Sequence, residues 1–252
     1  MIPAATSPWF LSWFARDAEK RIRRTFGEIW IHGLATVKAG AEGHPLLVIT
    51  NHTSWWDPLV VLFVTRRLLD VEAFAMMDQK NLERLPFFAK VGAFGVDLEV
   101  PQDGARGMRY AAKRLTTPRT LVWIFPQGKE VPLTARPLEF RAGSAQIERL
   151  APNALIVPGA IRYVFGSSPL PSLWLSFGEP YAPGKSVPAN EERQKLSVAA
   201  ELLRIDDALG SREHEFVSHH RPRTDWFQFV AERILAFMTR GALHQGRTSS
   251  RK

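Results

Sequence analysis

An α/β fold with a mainly parallel sheet flanked by helices is predicted by three features of the sequence. Short apolar or β-branched runs recur along the chain, segments with helical spacing stand between them, and Gly, Pro, Asn or Asp mark the junctions. The clearest strands are residues 46–50, 120–125 and 155–161. Each is a continuous apolar run of the kind a parallel sheet buries on both faces. Strands alternating with helices imply a mainly parallel sheet covered on both faces.

The chain opens on a different pattern. Phe10, Phe14, Ala18, Ile22, Phe26 and Ile29 recur at three- and four-residue steps, so the first thirty or so residues are predicted as one amphipathic helix. Trp9, Trp13 and Trp30 add aromatic bulk to that face, and Arg16, Lys20, Arg21, Arg23 and Arg24 add positive charge. Aromatics that enter a headgroup boundary beside cations that meet anionic lipid are the marks of an interfacial helix. An ordinary helix packed on its own domain has the same periodicity. Residues 1–32 are taken as an amphipathic membrane-associating segment and 33–241 as the α/β domain. Residues 242–252 are taken as a disordered basic tail.

Along the domain, 58–67 reads as a helix, 71–77 as a strand and 81–90 as a short helix. Residues 95–98 read as a short strand and 103–115 as a helix. Residues 141–150 are helical, and 173–177 suit an edge strand inside a Pro- and Gly-rich stretch, 167–188, that is otherwise loop. Helices over 190–208 and 226–239 complete the series.

Composition narrows the function. A net charge of +8 and a pI of about 10.1 point to a polyanionic partner, whether nucleic acid, anionic lipid or phosphorylated substrate. Zinc-finger spacing, a helix-turn-helix signal and an RNP-like aromatic strand are all missing, so a nucleic-acid partner is not expected. With no cysteine, thiolate chemistry and disulfides are excluded. No apolar run reaches the ~18 residues of a transmembrane helix, and no basic leader precedes the 9–14 cluster. A peripheral protein on the cytoplasmic side of a membrane is the expectation.

The residues that point to chemistry follow the first clear strand, in Asn51-His52-Thr53-Ser54-Trp55-Trp56-Asp57-Pro58. Histidine suits general-base work because its unperturbed pKa is ~6.5. A carboxylate on its other ring nitrogen would fix the tautomer. Five residues of continuous helix would set His52 and Asp57 ~140° apart, so they meet only if the chain turns between them. A strand ending at residue 50 and a helix starting near Pro58 provide such a turn. The same residues also read as a helix start, with Asp57 as cap, Pro58 in the first turn and Ser54 with Asp57 as a capping box.

This segment resembles the NH-x4-D block of the glycerolipid acyltransferases, the family of bacterial 1-acylglycerol-3-phosphate acyltransferases. Further blocks occur in the family's order. Gly92-Ala93-Phe94-Gly95-Val96-Asp97 resembles the second, Phe125-Pro126-Gln127-Gly128 the third and Ile156-Val157-Pro158-Gly159-Ala160 the fourth. Phe140-Arg141-Ala142-Gly143 resembles the family's F-K-x-G segment. The resemblance covers about residues 28–180. It implies His52 as general base, Asp57 as its partner, and an acyl-thioester donor carried on coenzyme A or acyl carrier protein, with no other cofactor and no metal. It places a lipid acceptor, a lysophospholipid or a relative, near Asn51, Ser54, Phe125, Pro126, Gln127, Gly128, Lys129 and Arg141. It also favours membrane docking by the N-terminal helix.

Three departures bear on the acceptor. Gln127 stands where Glu is usual, Lys129-Glu130 where Thr-Arg is usual, and Leu98 where Arg is expected. The family's arginines are tied to the acceptor phosphate, and neither Leu98 nor Glu130 binds phosphate as a guanidinium does. Lys129 and Arg141 are the nearby cations that could do so. Gln127 either holds a neutral polar group or braces its loop. Gly128 reads equally as a turn residue and as a point of close approach. Rival readings are a hydrolase, through Ser54, Ser144 or water on the same pair, and a lipid-binding protein without turnover.

Overall fold

The computed structural model describes residues 1–166, 168–211 and 214–220. The expected helix over 226–239 and the basic tail, 242–252, lie outside them. In chain order the elements are α1 (Pro8–Thr25), β1 (Glu28–His32), α2 (Leu34–Gly43), β2 (Leu46–Thr50) and α3 (Asp57–Phe63), which runs on into a π-helical turn (Val64–Leu68). Then come β3 (Glu72–Asp78), α4 (Gln79–Arg84), a 3-10 turn (Pro86–Val91), β4 (Ala93–Val96), α5 (Pro101–Arg114) and β5 (Thr120–Ile124). The remainder is α6 (Gly143–Leu150), β6 (Leu155–Val164), β7 (Ser172–Phe177), α7 (Val187–Gly210) and β8 (Val217–His220).

The eight strands form one sheet in the order β4-β3-β5-β2-β6-β7-β1-β8. Five of the seven neighbouring pairs are parallel. The pairs β6–β7 and β1–β8 are antiparallel. The α/β architecture read from the sequence is therefore present, as a mostly parallel mixed sheet with helices on both faces.

The two-residue period of a strand divides the core. In β2, Leu46 and Val48 face a cluster with Ile22 of α1, Val37 of α2 and the run 59–63 of α3. Leu47 and Ile49 face the other side, with Ala111 of α5, Ile147 of α6 and Val198 of α7. All five residues of β2 are buried, as are all five of β5, which is why neither shows an alternating pattern. The chain leaves this double-sided core at Thr50, and the segment that follows lies at the carboxyl end of the central strand.

Three sequence expectations are corrected. The N-terminal helix ends at Thr25, and Glu28–His32 form β1, with Ile29 and Ile31 buried on one face. Ile29 had fitted the helical series, but its alternation with Trp30, Ile31 and His32 has the period of a strand. Residues 172–177 are not an edge: β7 lies between β6 and β1, and five of its six residues are buried. Among the described residues the edge on that side is β8, a strand not anticipated, which carries His219 and His220 half-buried beside β1. The short helix α2 was also missed. It follows Gly33, whose φ of +72° lets the chain turn from β1; a Cβ there would lie 2.0 Å from the Phe177 carbonyl oxygen.

Candidate active site

Residues 51–56 join β2 to α3, so His52 lies on a strand-to-helix turn. Two side chains anchor the end of the strand. Trp123 of β5, fully buried, donates its Nε1–H to Thr50 Oγ1 at 2.9 Å. Asn51 is matched to the backbone of Ile161 in β6: its Nδ2 donates to the carbonyl and its Oδ1 accepts the N–H, both at 2.9 Å. Both polar groups of Asn51 are thus engaged internally.

Beyond Asn51 the chain folds back on Asp57. His52 Nδ1 lies 2.7 Å from Asp57 Oδ2. The same oxygen accepts the backbone N–H of Thr53 at 2.8 Å and of Ser54 at 3.1 Å. A fourth donor comes from β6, where the Tyr163 hydroxyl reaches Asp57 Oδ1 at 2.6 Å. Asp57 is fully buried. An ionised carboxylate only accepts, so the proton of the His–Asp bond belongs on Nδ1 and the lone pair on Nε2. The Tyr163 hydroxyl is held far above its ordinary pKa by burial first, then by the charge of Asp57 and its hydrogen bond, with Glu130 adding to it. It therefore stays a donor at any working pH.

The helix-start reading of Asp57 is half correct. Asp57 opens α3 with Pro58 behind it, but its carboxylate points back along the chain to Thr53, Ser54 and His52 rather than forward into the helix. Its hydrogen bonds fold the turn, and the turn holds the histidine.

The loop after β5 frames the other side. Phe125 stacks on the His52 ring with centroids 4.4 Å apart. Gln127, buried, accepts the His52 N–H at 2.7 Å, and Val131 donates to the His52 carbonyl at 2.8 Å. Gln127 thus braces the histidine's own backbone. Gly128 adopts φ +70°, and a Cβ there would sit 3.1 Å from Arg141 Cδ and Nε and 3.5 Å from Leu98 Cδ1. Both alternatives for this glycine hold: the turn requires it, and two side chains close over it.

His52 opens onto a cavity of about 510 Å³. Leu59, Leu62, Met76, Leu85, Phe88 and Ile124 give it a mainly apolar wall, while Asp78, Arg84, Lys129, Glu130 and Arg141 supply its charged groups. Of the residues expected from the sequence, His52, Phe125, Pro126, Gly128, Lys129 and Arg141 line this cavity. Asp57, Asn51, Ser54 and Gln127 stand behind it. Ser54 Oγ accepts the Trp56 N–H at 3.2 Å. Ser144 lines the wall, but its hydroxyl is committed to Gln194 Oε1 at 2.6 Å. Among the described residues no group of acidic, His or Cys side chains is placed to hold a metal.

Sequence reasoning missed Tyr163, which lies past the fourth block and is read locally as one more half-buried strand aromatic. It also missed the apolar wall from β3, α4 and the 3-10 turn, whose residues have no motif of their own.

A family model described as Acyltransferase matches residues 28–162, more than half of the chain and the stretch from β1 into β6. No curated protein matches the chain.

The Asn51 clamp gives a direct test. Asn51→Ala leaves the buried N–H and C=O of Ile161 without partners, a loss of about 3 kcal/mol at ~1–3 kcal/mol per unsatisfied group. The urea midpoint is expected to fall accordingly. A midpoint unchanged from the parent would show that the clamp contributes nothing.

Proposed function

The chain belongs to the glycerolipid acyltransferase family, and on that premise we propose that it moves a fatty acyl group from an acyl thioester to a hydroxyl of a membrane lipid, with His52 as general base. The observation that carries this reading is the His52 ring, fixed through Nδ1 by buried Asp57 and set in the wall of an apolar cavity. As the acceptor oxygen attacks the thioester carbonyl, Nε2 takes its proton. When the tetrahedral intermediate collapses, the imidazolium returns that proton to the departing thiolate of coenzyme A or acyl carrier protein. The acceptor hydroxyl stands where a serine would in a Ser-His-Asp hydrolase. The cavity wall suits an acyl chain, since each methylene moved out of water is worth about 0.8 kcal/mol.

The acceptor is read as a lysophospholipid or a related lipid whose phosphate meets relocated cations. Leu98 occupies a position where the family resemblance led to an arginine. Leu98 and Arg141 converge on Gly128, so the Arg141 guanidinium stands beside that position, with Lys129 next in the chain. Its ion pair among the described residues, to Glu99 at 3.9 Å, is exposed and weak, which leaves the guanidinium available to a phosphate.

Docking on an anionic membrane surface is supported by α1. Trp9 is 76% exposed and Trp13 51% exposed. Phe14 touches Phe87 and Phe88, the latter a cavity residue, so an aromatic path leads from the exposed face of the helix to the apolar wall. Arg16, Lys20 and Arg24 are exposed on the same helix. Docking is read as peripheral, on the cytoplasmic side; none of the described helices is long and apolar enough to cross a membrane.

Three measurements test these readings. His52→Ala should lower acyl transfer by about a thousandfold, within the usual range for a lost general base, with the fold retained by circular dichroism. Transfer at the parent rate would remove His52 from the chemistry, and free fatty acid formed in the presence of acceptor would mark a thioesterase. In an acceptor panel, Lys129→Ala/Arg141→Ala should raise KM for lysophosphatidic acid at least about tenfold relative to a neutral lipid alcohol, as expected for lost charge-assisted bonds. Equal KM values would refute the relocated phosphate site. Trp9→Ala/Trp13→Ala should weaken binding to phosphatidylserine-containing vesicles by about tenfold or more, given the apolar area removed. Undiminished binding would exclude α1 as the docking element.

A further inference from the structure

Asp57 distributes its hydrogen bonds unevenly. Oδ2 takes three donors, His52 Nδ1, Thr53 N–H and Ser54 N–H, all from within the same short turn. Oδ1 takes one, the Tyr163 hydroxyl, from β6. The three local donors belong to the turn itself and tie the carboxylate to the sheet only through it. Tyr163 is the donor that ties it there directly, from the part of β6 paired with β7, where it stands opposite Leu173. Its ring is fixed in turn: it stacks on Phe26 with centroids 5.4 Å apart, and Phe26 meets Trp56 edge-on at 5.4 Å. Phe26 is only 2% exposed.

We propose that Tyr163 is a positioning residue of the acyl-transfer site: it holds Asp57 Oδ1 so that Oδ2 is presented to His52 Nδ1, and so helps set the pH above which His52 accepts a proton. The inference rests on the reading of His52 as general base. Tyr163 lies one residue beyond the stretch matched by the family model, and none of the sequence blocks contains it.

The direction of the effect follows from charge. While Tyr163 donates to Asp57, part of the carboxylate's negative charge is satisfied away from the histidine. Without that donor, Oδ1 is a carboxylate oxygen closed off from water with nothing to bind. The charge then bears more fully on His52, and protonated imidazole becomes more favourable. A general base must be neutral to act, so activity is lost at a higher pH than in the parent. The other charged groups of the cavity are Glu130 and Lys129 from the loop after β5, Arg141 ahead of α6, Arg84 of α4 and Asp78 at the end of β3. The substitution leaves all five in place.

Tyr163→Phe keeps the ring on Phe26 and removes only the hydroxyl. In the full chain it is expected to lower kcat about tenfold at the pH plateau, consistent with one charge-assisted hydrogen bond. The acid limb of kcat/KM should move up by about half to one pH unit, with KM for the thioester within about twofold. The midpoint of the His52 ring signal in proton NMR should move the same way, and that reading needs no turnover. Phe26→Leu, which frees the ring but spares the hydroxyl, should give a smaller shift of the same sign, and it decides the matter if Tyr163→Phe does not fold. A His52 midpoint and an acid limb that stay at the parent values in the folded variants overturn the inference, as does a change confined to KM. If His52→Ala keeps its activity while Tyr163→Phe still moves the His52 midpoint, the general-base reading fails and the positioning of the pair stands.

Discussion

A carboxylate with no access to water is the constraint around which this site is organised. Removing an ion from solvent costs several kcal/mol unless donors replace the lost hydration. Asp57 is given four, and each does structural work as well. The Thr53 and Ser54 amides can reach Asp57 only if the chain doubles back after Asn51. The imidazole can reach it only in the tautomer with the proton on Nδ1. The tyrosine can reach it only if β6 runs beside β2. Satisfying one buried charge therefore fixes a turn, a tautomer and a strand neighbour together.

The sheet supplies the rigidity that such a site needs. His52 does not rest on its turn alone: Gln127 holds its N–H, Val131 its carbonyl and Phe125 its ring. Asn51 and Trp123 tie the preceding residues to β6 and β5, the two strands beside β2. The site is therefore borne by three adjacent strands, while Leu98, Lys129, Glu130 and Arg141 lie on the loops beside it.

The sequence was most legible where one local pattern had a single physical cause. Continuous apolar runs placed β2, β5 and β6, because burial on both faces leaves no polar position. The spacing of His52 and Asp57 fitted a turn and a helix start alike, and the resemblance to the family's first block is what singled the pair out. It was least legible where two periods overlap or the partner is remote. Ile29 suits a helix stripe and a strand alike, and its strand partner Leu173 lies about 140 residues away. β7 looked like an edge because β1, which pairs with it, was not recognised as a strand. Asn51, Ser54 and Gln127 are polar residues in a motif and so invited a substrate role. Their partners, Ile161, Trp56 and the backbone of His52, appear only in three dimensions.

The place of β1 in the sheet also orders events during synthesis. Among the first strands to leave the ribosome, it is the one whose pairing is longest deferred, since β7 and β8 come near the far end of the described chain. Contacts of such sequence separation form late, because the loop must close before they reward it. Until then Ile29, Ile31 and the apolar side of α1 have only part of their final cover. Segments in that condition are the ones most open to association with other apolar surfaces before the sheet is complete.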